Sequence, residues 1–345
     1  MSVRVLTAAD VERLLPMGEA IGVMEEVFRT LAKGDAVQPL RSMVWLPDRR
    51  GLLGLMPAYL GSPNAIGLKV VTVMPGNHGT PFDSHQGAVL VFETRNGALE
   101  AVVDATAITA IRTAAVSGLA TRLLAREDAG DLALIGSGTQ ARTHLEAMRA
   151  VRPLRRVRVW SANADHARAF AAREGGRGGP AIEAVPTARD AVFGADLICT
   201  VTAAKQPVVE GEWIAEGAHV NAVGACFPNA RELDTRAVAR ARLVVDRRES
   251  TLAEAGDFLI PKQQGAFADD HIAAELGEIV TGAKRGRRSA DEITLFKSLG
   301  LAVEDLAAAH FVAARARRGG GRVDRARRTA SFLTRPQRSA GSAPS

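Results

Sequence analysis

The sequence predicts an α/β fold: a doubly wound parallel sheet, preceded by a β-rich stretch. Three observations predict it. From Asp131 onward, the strand-like runs "DLALI", "VRVW", "DLICTVTA", "AHVNAVGA" and "RLVVD" alternate with helical stretches, the order expected of parallel strands joined by crossover helices. The first of these runs leads into Gly136-Ser137-Gly138-Thr139-Gln140-Ala141, a G-x-G-x-x-A turn that is weak evidence alone but informative between a strand and a helix. Upstream, the strand-like runs "GLLGLMPAYL", "GLKVVTVM", "GAVLVFE" and "ALEAVVD" follow one another with no helix between them.

Taken in order, "LTAADVERLLPMGEAIGVMEEVFRTLAKGDA" predicts two short helices, because Leu14, Leu15, Ile21, Val23, Met24, Val27, Phe28 and Leu31 recur at helical spacing. Asn96-Gly97 between the last two upstream strands is a hairpin signal. "TAITAIRTAAVSGLATRLLA" then reads as a long helix, and "DEITLFKSLGLAVEDLAAAHFVAARARR" as a terminal helical segment. No internal repeat is visible.

With 345 residues, 47% of them hydrophobic and 24% charged, the chain suits two domains of ordinary globular composition. The net charge of +6 is uneven: residues 315–345, "RARRGGGRVDRARRTASFLTRPQRSAGSAPS", are rich in Arg, Gly, Ser and Pro. Such a segment buries little, so a basic, disordered tail is expected from residue 319 to 345. No aromatic-interleaved basic motif or zinc spacing accompanies it, and no nucleic-acid partner is expected. Cys199 and Cys226 form no CxxC pair, which fits a reducing cytoplasm. The N-terminus lacks the apolar core of a secretory signal, and no run of 18 apolar residues suggests a membrane span.

Several residues carry candidate chemistry. In the glycine turn, Gly136 permits the tight bend and Gly138 lets a pyrophosphate approach the backbone. Ala141 keeps the helix close to the sheet, and the helix N-terminus faces the anion. The bland alternative is a βα turn with no ligand. A ribose-binding acid is expected at the tip of the second strand for NAD, yet that strand ends in Ser161-Ala162-Asn163, with Asp165 arriving late. The missing acid favours NADPH and leaves NADH possible. Lys69 lies inside the apolar "AIGLKVVTV", where a strand lysine can also point to solvent. Arg112 falls within the stripe of Ile108, Ile111, Ala115, Leu119 and Leu123, and its permanent charge there requires an anion, either a structural carboxylate or a ligand. Arg41 precedes another strand in "QPLRSMVWL". Ser84-His85-Gln86 is a polar triplet whose plain reading is a capped turn. Cys226 stands at the carboxyl end of a strand, where open α/β sheets place their chemistry, as nucleophile, spacer or the replacement of an acid.

These stretches resemble the ornithine cyclodeaminase/mu-crystallin family along almost the whole chain. "GLLGLMPAY", "GLKVVTV", "SHQGAVLVFE", "ITAIRTAAVSGLAT", "LIGSGTQA", "GEWIAEGAHVNAVGA", "RELD" and "FKSLGLAVED" carry the resemblance by order and spacing, and it is strongest to the ketimine reductase branch. It implies a Rossmann nucleotide-binding domain (119–300) inserted into a mixed α+β substrate-binding and dimerisation domain (1–118 with 301–318), with the site in the cleft and a homodimer as the assembly. It implies Arg41, Lys69 and Arg112 as substrate-facing cations, with Lys69 catalytic. Gly136, Ser137, Gly138, Thr139 and Gln140 become the pyrophosphate turn. Ser84, His85, Thr202, Val223 and Ser298 fall near cofactor or substrate; Ser161 and Asn163, at the tip of the second strand, are further candidate cofactor contacts. Cyclodeaminases of the family carry an aspartate at the position of Cys226 and a glutamate at that of Gly54. Both acids are absent, so Cys226 reads as a small substrate-side spacer.

The expected function is NAD(P)H-dependent reduction of a cyclic imino acid such as Δ1-pyrroline-2-carboxylate or Δ1-piperideine-2-carboxylate to proline or pipecolate, in the cytoplasm. The alternatives are an alanine-type amino-acid dehydrogenase, an ornithine cyclodeaminase, and a non-catalytic binder of NADPH or a small molecule.

Overall fold

The computed structural model describes residues 3–77, 80–176 and 179–318; the basic tail expected from 319 lies outside them. The first part of the chain runs β1 (Arg4–Leu6), α1 (Ala8–Leu14), α2 (Met17–Ala32), β2 (Ala36–Val37), β3 (Ser42–Trp45), β4 (Leu52–Leu60), β5 (Ala65–Val73), β6 (His85–Phe92), β7 (Leu99–Asp104) and α3 (Ala105–Leu124). Its strands form a seven-stranded sheet of order β1-β7-β6-β5-β4-β2, with β3 also paired to β4. Only β1 and β7 run parallel. β4 and β5 pair over nine residues, from Leu52 opposite Val73 to Leu60 opposite Ala65. Along β4 every second side chain is buried, and β5 follows the same alternation to Val71, as a sheet covered on one face requires. The Asn96-Gly97 hairpin forms as expected: Gly97 takes a φ of +74°, a region that costs glycine little.

The second part runs β8 (Asp131–Ile135), α4 (Thr139–Val151), β9 (Arg156–Trp160), α5 (Ala164–Glu174), β10 (Ile182–Ala184), α6 (Ala188–Val192), β11 (Leu197–Thr200), β12 (His219–Ala222), α7 (Thr235–Arg240), β13 (Arg242–Val245), α8 (Arg248–Glu254), α9 (Gly256–Gln263), β14 (Ile272–Glu275), α10 (Leu276–Val280), β15 (Thr294–Lys297) and α11 (Ala302–Arg318). The eight strands are all parallel, in the order β10-β9-β8-β11-β12-β15-β13-β14. Chain direction across the sheet reverses between β8 and β11, which makes the crevice above them the topological switch point.

One expectation is corrected. The segment from Asp291 is not helical throughout: β15 inserts as a parallel strand between β12 and β13, and helix begins only at Ala302. All four β15 residues are buried, and a short run buried on both faces has no period to distinguish strand from helix. α11 then returns to pack on β4, β5 and β6 and on α2 and α3. α3 runs unbroken through residue 118, and 16 of its 20 residues are buried. The apolar stripe expected around Arg112 is therefore most of the helix circumference. One core joins α3 to both sheets and α11 through Ile108, Leu119, Leu132 and Leu306; another, with Ile135, Val220 and Leu295, fills the opposite face of the parallel sheet. Both cysteines are unpaired. No helix among the described residues is long and apolar enough to cross a membrane.

Candidate active site

The carboxyl ends of four adjacent strands, β8, β11, β12 and β15, deliver Gly136, Thr202, Val223 and Ser298 to one edge of the parallel sheet. Gly136 has a φ of +118°, and a Cβ there would lie 2.8 Å from the Val201 carbonyl oxygen. Both backbone conformation and space demand glycine. Gly138 is the N-cap of α4 and makes no side-chain cap; nothing lies within 4 Å of where its Cβ would stand. The N-terminus of a 13-residue helix thus presents uncapped N–H groups beside open space, a ready anion site. Ser137 is half-buried and Thr139 exposed in the same turn. Gln140 Nε2 lies 3.5 Å from the Thr109 carbonyl oxygen. Its Oε1 and the Ser298 Oγ are buried without a hydrogen-bond partner among the described residues. A cradle without side chains, next to buried polar atoms needing partners, fits a dinucleotide. At the tip of β9, half-buried Ser161 is followed by Asn163, whose side chain caps α5 by accepting from the Asp165 N–H at 2.9 Å. Asp165 itself pairs with Arg168.

The three cations come together around the turn that follows β15. Lys69 is 4% exposed, so it points into the protein rather than to solvent. Its Nζ donates to Asp305 Oδ1 at 3.0 Å. Arg112 Nε donates to the same oxygen at 2.9 Å, and its Nη1 to Glu304 Oε2 at 2.7 Å. The anion that Arg112 requires is therefore supplied, in part, by two structural carboxylates at the start of α11. Arg41 pairs with Glu254 at 3.0 Å and donates to the Leu299 and Gly300 carbonyls at 2.9 and 3.0 Å. That turn is held by Asp246, whose Oδ2 accepts from the Leu299 and Gly300 N–H groups at 2.6 and 2.9 Å. Gly300, at φ +79°, leaves room for Arg112, whose Nη1 would be 2.4 Å from any Cβ.

Burial pushes the Lys69 ammonium down to about 8; Asp305 opposes this, while Arg112 and Arg41 add to it. Burial raises the Glu304 carboxyl to about 7 against the pull of Arg112. For Asp305, burial acts upward, but Arg112 and Lys69 outweigh it and hold the carboxyl below its usual range. The corner thus keeps a lysine whose proton is exchangeable near neutrality beside a fixed guanidinium and an ionised aspartate.

Cys226 is half-buried, with its thiol donating to the Val223 carbonyl at 3.5 Å. Burial raises its pKa, Lys297 and Arg41 notwithstanding, which disfavours a thiolate nucleophile. Gly54 faces the same side of the sheet as Lys69, one step along the β4–β5 ladder. Ser84 and His85 stand apart: Ser84 Oγ lies 3.0 Å from His85 Nδ1. His85 pairs with Val73, and the four residues from there to Lys69 put this pair ~13 Å away along β5.

Sequence reasoning missed the carboxylates Asp305, Glu304, Glu254 and Asp246, and the buried group formed by Glu232, Asp257 and Lys297. The available signal was acids embedded in apolar runs, as in "GLAVEDLAAAHF", where burial demands a partner.

Residues 1–320 match the family model described as ornithine cyclodeaminase/mu-crystallin family. The chain is 43% identical over 279 residues to ketimine reductase mu-crystallin of Mus musculus, spanning 81% of this chain and 85% of that one. The Thermococcus litoralis Δ1-pyrroline-2-carboxylate reductase solved in complex with NADH and L-proline aligns with a TM-score of 0.90 and 40% identity, over 92% of this chain and 98% of that one. An archaeal alanine dehydrogenase dimer with bound NAD aligns with a TM-score of 0.87 and 34% identity, over 92% and 97% of the two chains. By the match over residues 1–320 and by these likenesses, the chain belongs to the ornithine cyclodeaminase/mu-crystallin family.

Proposed function

We propose that this chain is an NAD(P)H-dependent reductase of cyclic imino carboxylic acids, converting Δ1-pyrroline-2-carboxylate or Δ1-piperideine-2-carboxylate to L-proline or L-pipecolate. The observation that carries the reading is the cation corner: Lys69 and Arg112 share one carboxylate oxygen of Asp305, and Arg41 grips the turn that shelters Arg112. The cyclodeaminase acids are missing both from beside Lys69, at Gly54, and from the end of β12, at Cys226.

The Gly136–Gln140 turn holds the pyrophosphate, and Thr202, Val223 and Ser298 border the nicotinamide end; Ser161 and Asn163 lie by the adenosine ribose. The tip of β9 itself carries no carboxylate, only Ser161-Ala162-Asn163, and the Asp165 that follows is paired with Arg168; this supports NADPH, with NADH also accepted. When bound, the reduced dinucleotide supplies hydride to C2 of the imine. Arg112 and Arg41 hold the substrate carboxylate, for which a guanidinium fork is suited. Lys69 keeps the ring nitrogen protonated, either donating its proton or relaying one. An iminium carbon is the better hydride acceptor, and orientation by the fixed cations completes the protein's share. A ring closed on its own nitrogen presents no distal amine and needs no acid at Cys226 or Gly54.

The division into residues 1–118 with 301–318 and residues 119–300 places Arg41, Lys69, Arg112 and Asp305 on one wall of the cleft and the dinucleotide edge on the other. Two chains pair as a homodimer through the outer face of the seven-stranded sheet. There Leu53, Leu55 and Tyr59 adjoin Val70, Ile66 and Leu90, none of them fully buried, a contiguous apolar patch that a second copy would cover. The unpaired thiols suit action in the cytoplasm.

The test is dinucleotide oxidation by the purified protein across cyclic imines, 2-oxo acids with ammonia, and ornithine. Ammonia-independent turnover of a cyclic imine is the expected result. Turnover only of a 2-oxo acid with ammonia would move the reading to an amino-acid dehydrogenase.

A further inference from the structure

Glu232 belongs to neither wall of the cleft. Its side chain is fully buried beneath the two loops that leave β11 and β12. Oε1 accepts from the Thr202 N–H at 2.6 Å and the Thr202 hydroxyl at 2.7 Å. Oε2 accepts from the Gly224 N–H at 2.7 Å and the Thr200 hydroxyl at 2.8 Å. One carboxylate therefore ties the two loops together. Around it, Asp257 Oδ1 accepts from the N–H groups of Glu232 and Leu233 at 2.8 and 3.0 Å. Asp257 Oδ2 pairs with Lys297 at 2.9 Å, and Lys297 donates to the Ala225 carbonyl at 2.7 Å. The segment carrying Val223 and Cys226 is thus held from both sides. There is no slack: a Cβ on Gly224 would lie 2.1 Å from the Thr202 carbonyl oxygen and 2.6 Å from Glu232 Oε1. The first of these loops abuts the glycine turn, through Val201 and Gly136, and Glu232 joins the second to it.

A buried carboxylate is a poor device for stability alone, because a packed apolar side chain joins two loops without the desolvation penalty. What it adds is a fixed separation, since both oxygens take backbone N–H groups whose donor role cannot reverse. We propose that Glu232 is a positioning residue for the dinucleotide: it sets the spacing of the Thr202 and Gly224 loops against the glycine turn, and so tunes cofactor binding without touching the cofactor. The proposal rests on the reductase reading for the identity of the ligand, and deepens it.

The test is Glu232→Gln in the full chain, an isosteric change that must aim an NH₂ at one of the two backbone N–H groups. The readouts are the dissociation constant of reduced dinucleotide, from protein fluorescence, and kcat and KM for Δ1-pyrroline-2-carboxylate. Expected is a loss of dinucleotide affinity of about tenfold or more, the scale of one charge-assisted hydrogen bond, with kcat reduced and imine KM little changed. A purely structural role would lower the melting temperature and leave the dinucleotide constant of the folded protein unmoved, which would overturn the proposal. If Glu232→Gln does not fold, Thr200→Val decides. It removes one donor at constant volume and is expected to weaken dinucleotide binding in the same direction by a smaller factor; wild-type affinity there refutes the role. The affinity measurement needs no imine. A wild-type protein that binds dinucleotide but reduces no imine therefore defeats the reductase reading and leaves this test in force, whereas one that binds no dinucleotide defeats both.

Discussion

The two walls of the proposed cleft are made of different materials. The wall from the seven-stranded sheet and α11 is built of charged side chains, Arg41, Lys69 and Arg112, each held by a carboxylate. The wall from the parallel sheet is built of backbone: a glycine turn, an uncapped helix N-terminus and small residues at strand ends. Pairwise charges in a buried corner make the first wall sensitive to single substitutions and to pH. The second depends on conformation and space, and tolerates changes that keep both.

The largest effect is expected on the charged wall. Lys69→Ala should lower turnover by roughly 10²–10⁴-fold, the worth of a positioned acid, while reduced-dinucleotide binding stays near wild type. Near-normal turnover would erase the distinction between the walls. Arg112→Lys replaces a fork by a point charge, and steady-state kinetics should show the imine KM raised on the order of 10–100-fold. Circular dichroism must first show a folded protein; if this variant is unfolded, Arg112 serves Glu304 and Asp305 rather than substrate.

Asp305→Asn sharpens the comparison through pH. The Asp305 charge favours the Lys69 ammonium against burial, which already holds it at about 8. Removing that charge lets the proton leave at lower pH. Activity that depends on protonated Lys69 should therefore fall off at lower pH in the variant than in the wild type. An alkaline limb that stays in place or moves upward in the pH–rate profile would remove Lys69 as the proton source. The smallest effect is expected where the thiol only fills space: Cys226→Ala should change kcat/KM by no more than about threefold, or roughly 0.7 kcal/mol. A loss beyond ~100-fold, about 2.7 kcal/mol, would show that the thiol takes part.

The contrast between the walls also explains what the sequence disclosed. The glycine turn was readable because its geometry is written in six consecutive residues. Lys69 and Arg112 were visible as charges out of place. Their shared partner was not, since Asp305 lies 236 residues from Lys69 and 193 from Arg112, and no local pattern links them. β15 escaped because four residues buried on both faces show no alternation. Glu232 escaped for a related reason: its partners come from two loops that only the sheet order brings together.

α3 has a mechanical consequence. It carries Arg112 on one stretch, and near its end Thr121 accepts from Asn221 of β12 at 2.9 Å through its hydroxyl and from Arg152 at 3.1 Å through its carbonyl. The helix is an axle common to both halves, and parting them would strip a surface buried nearly all round. Neither half can keep the axle if the chain is divided, so heating should melt both sheets in one calorimetric transition.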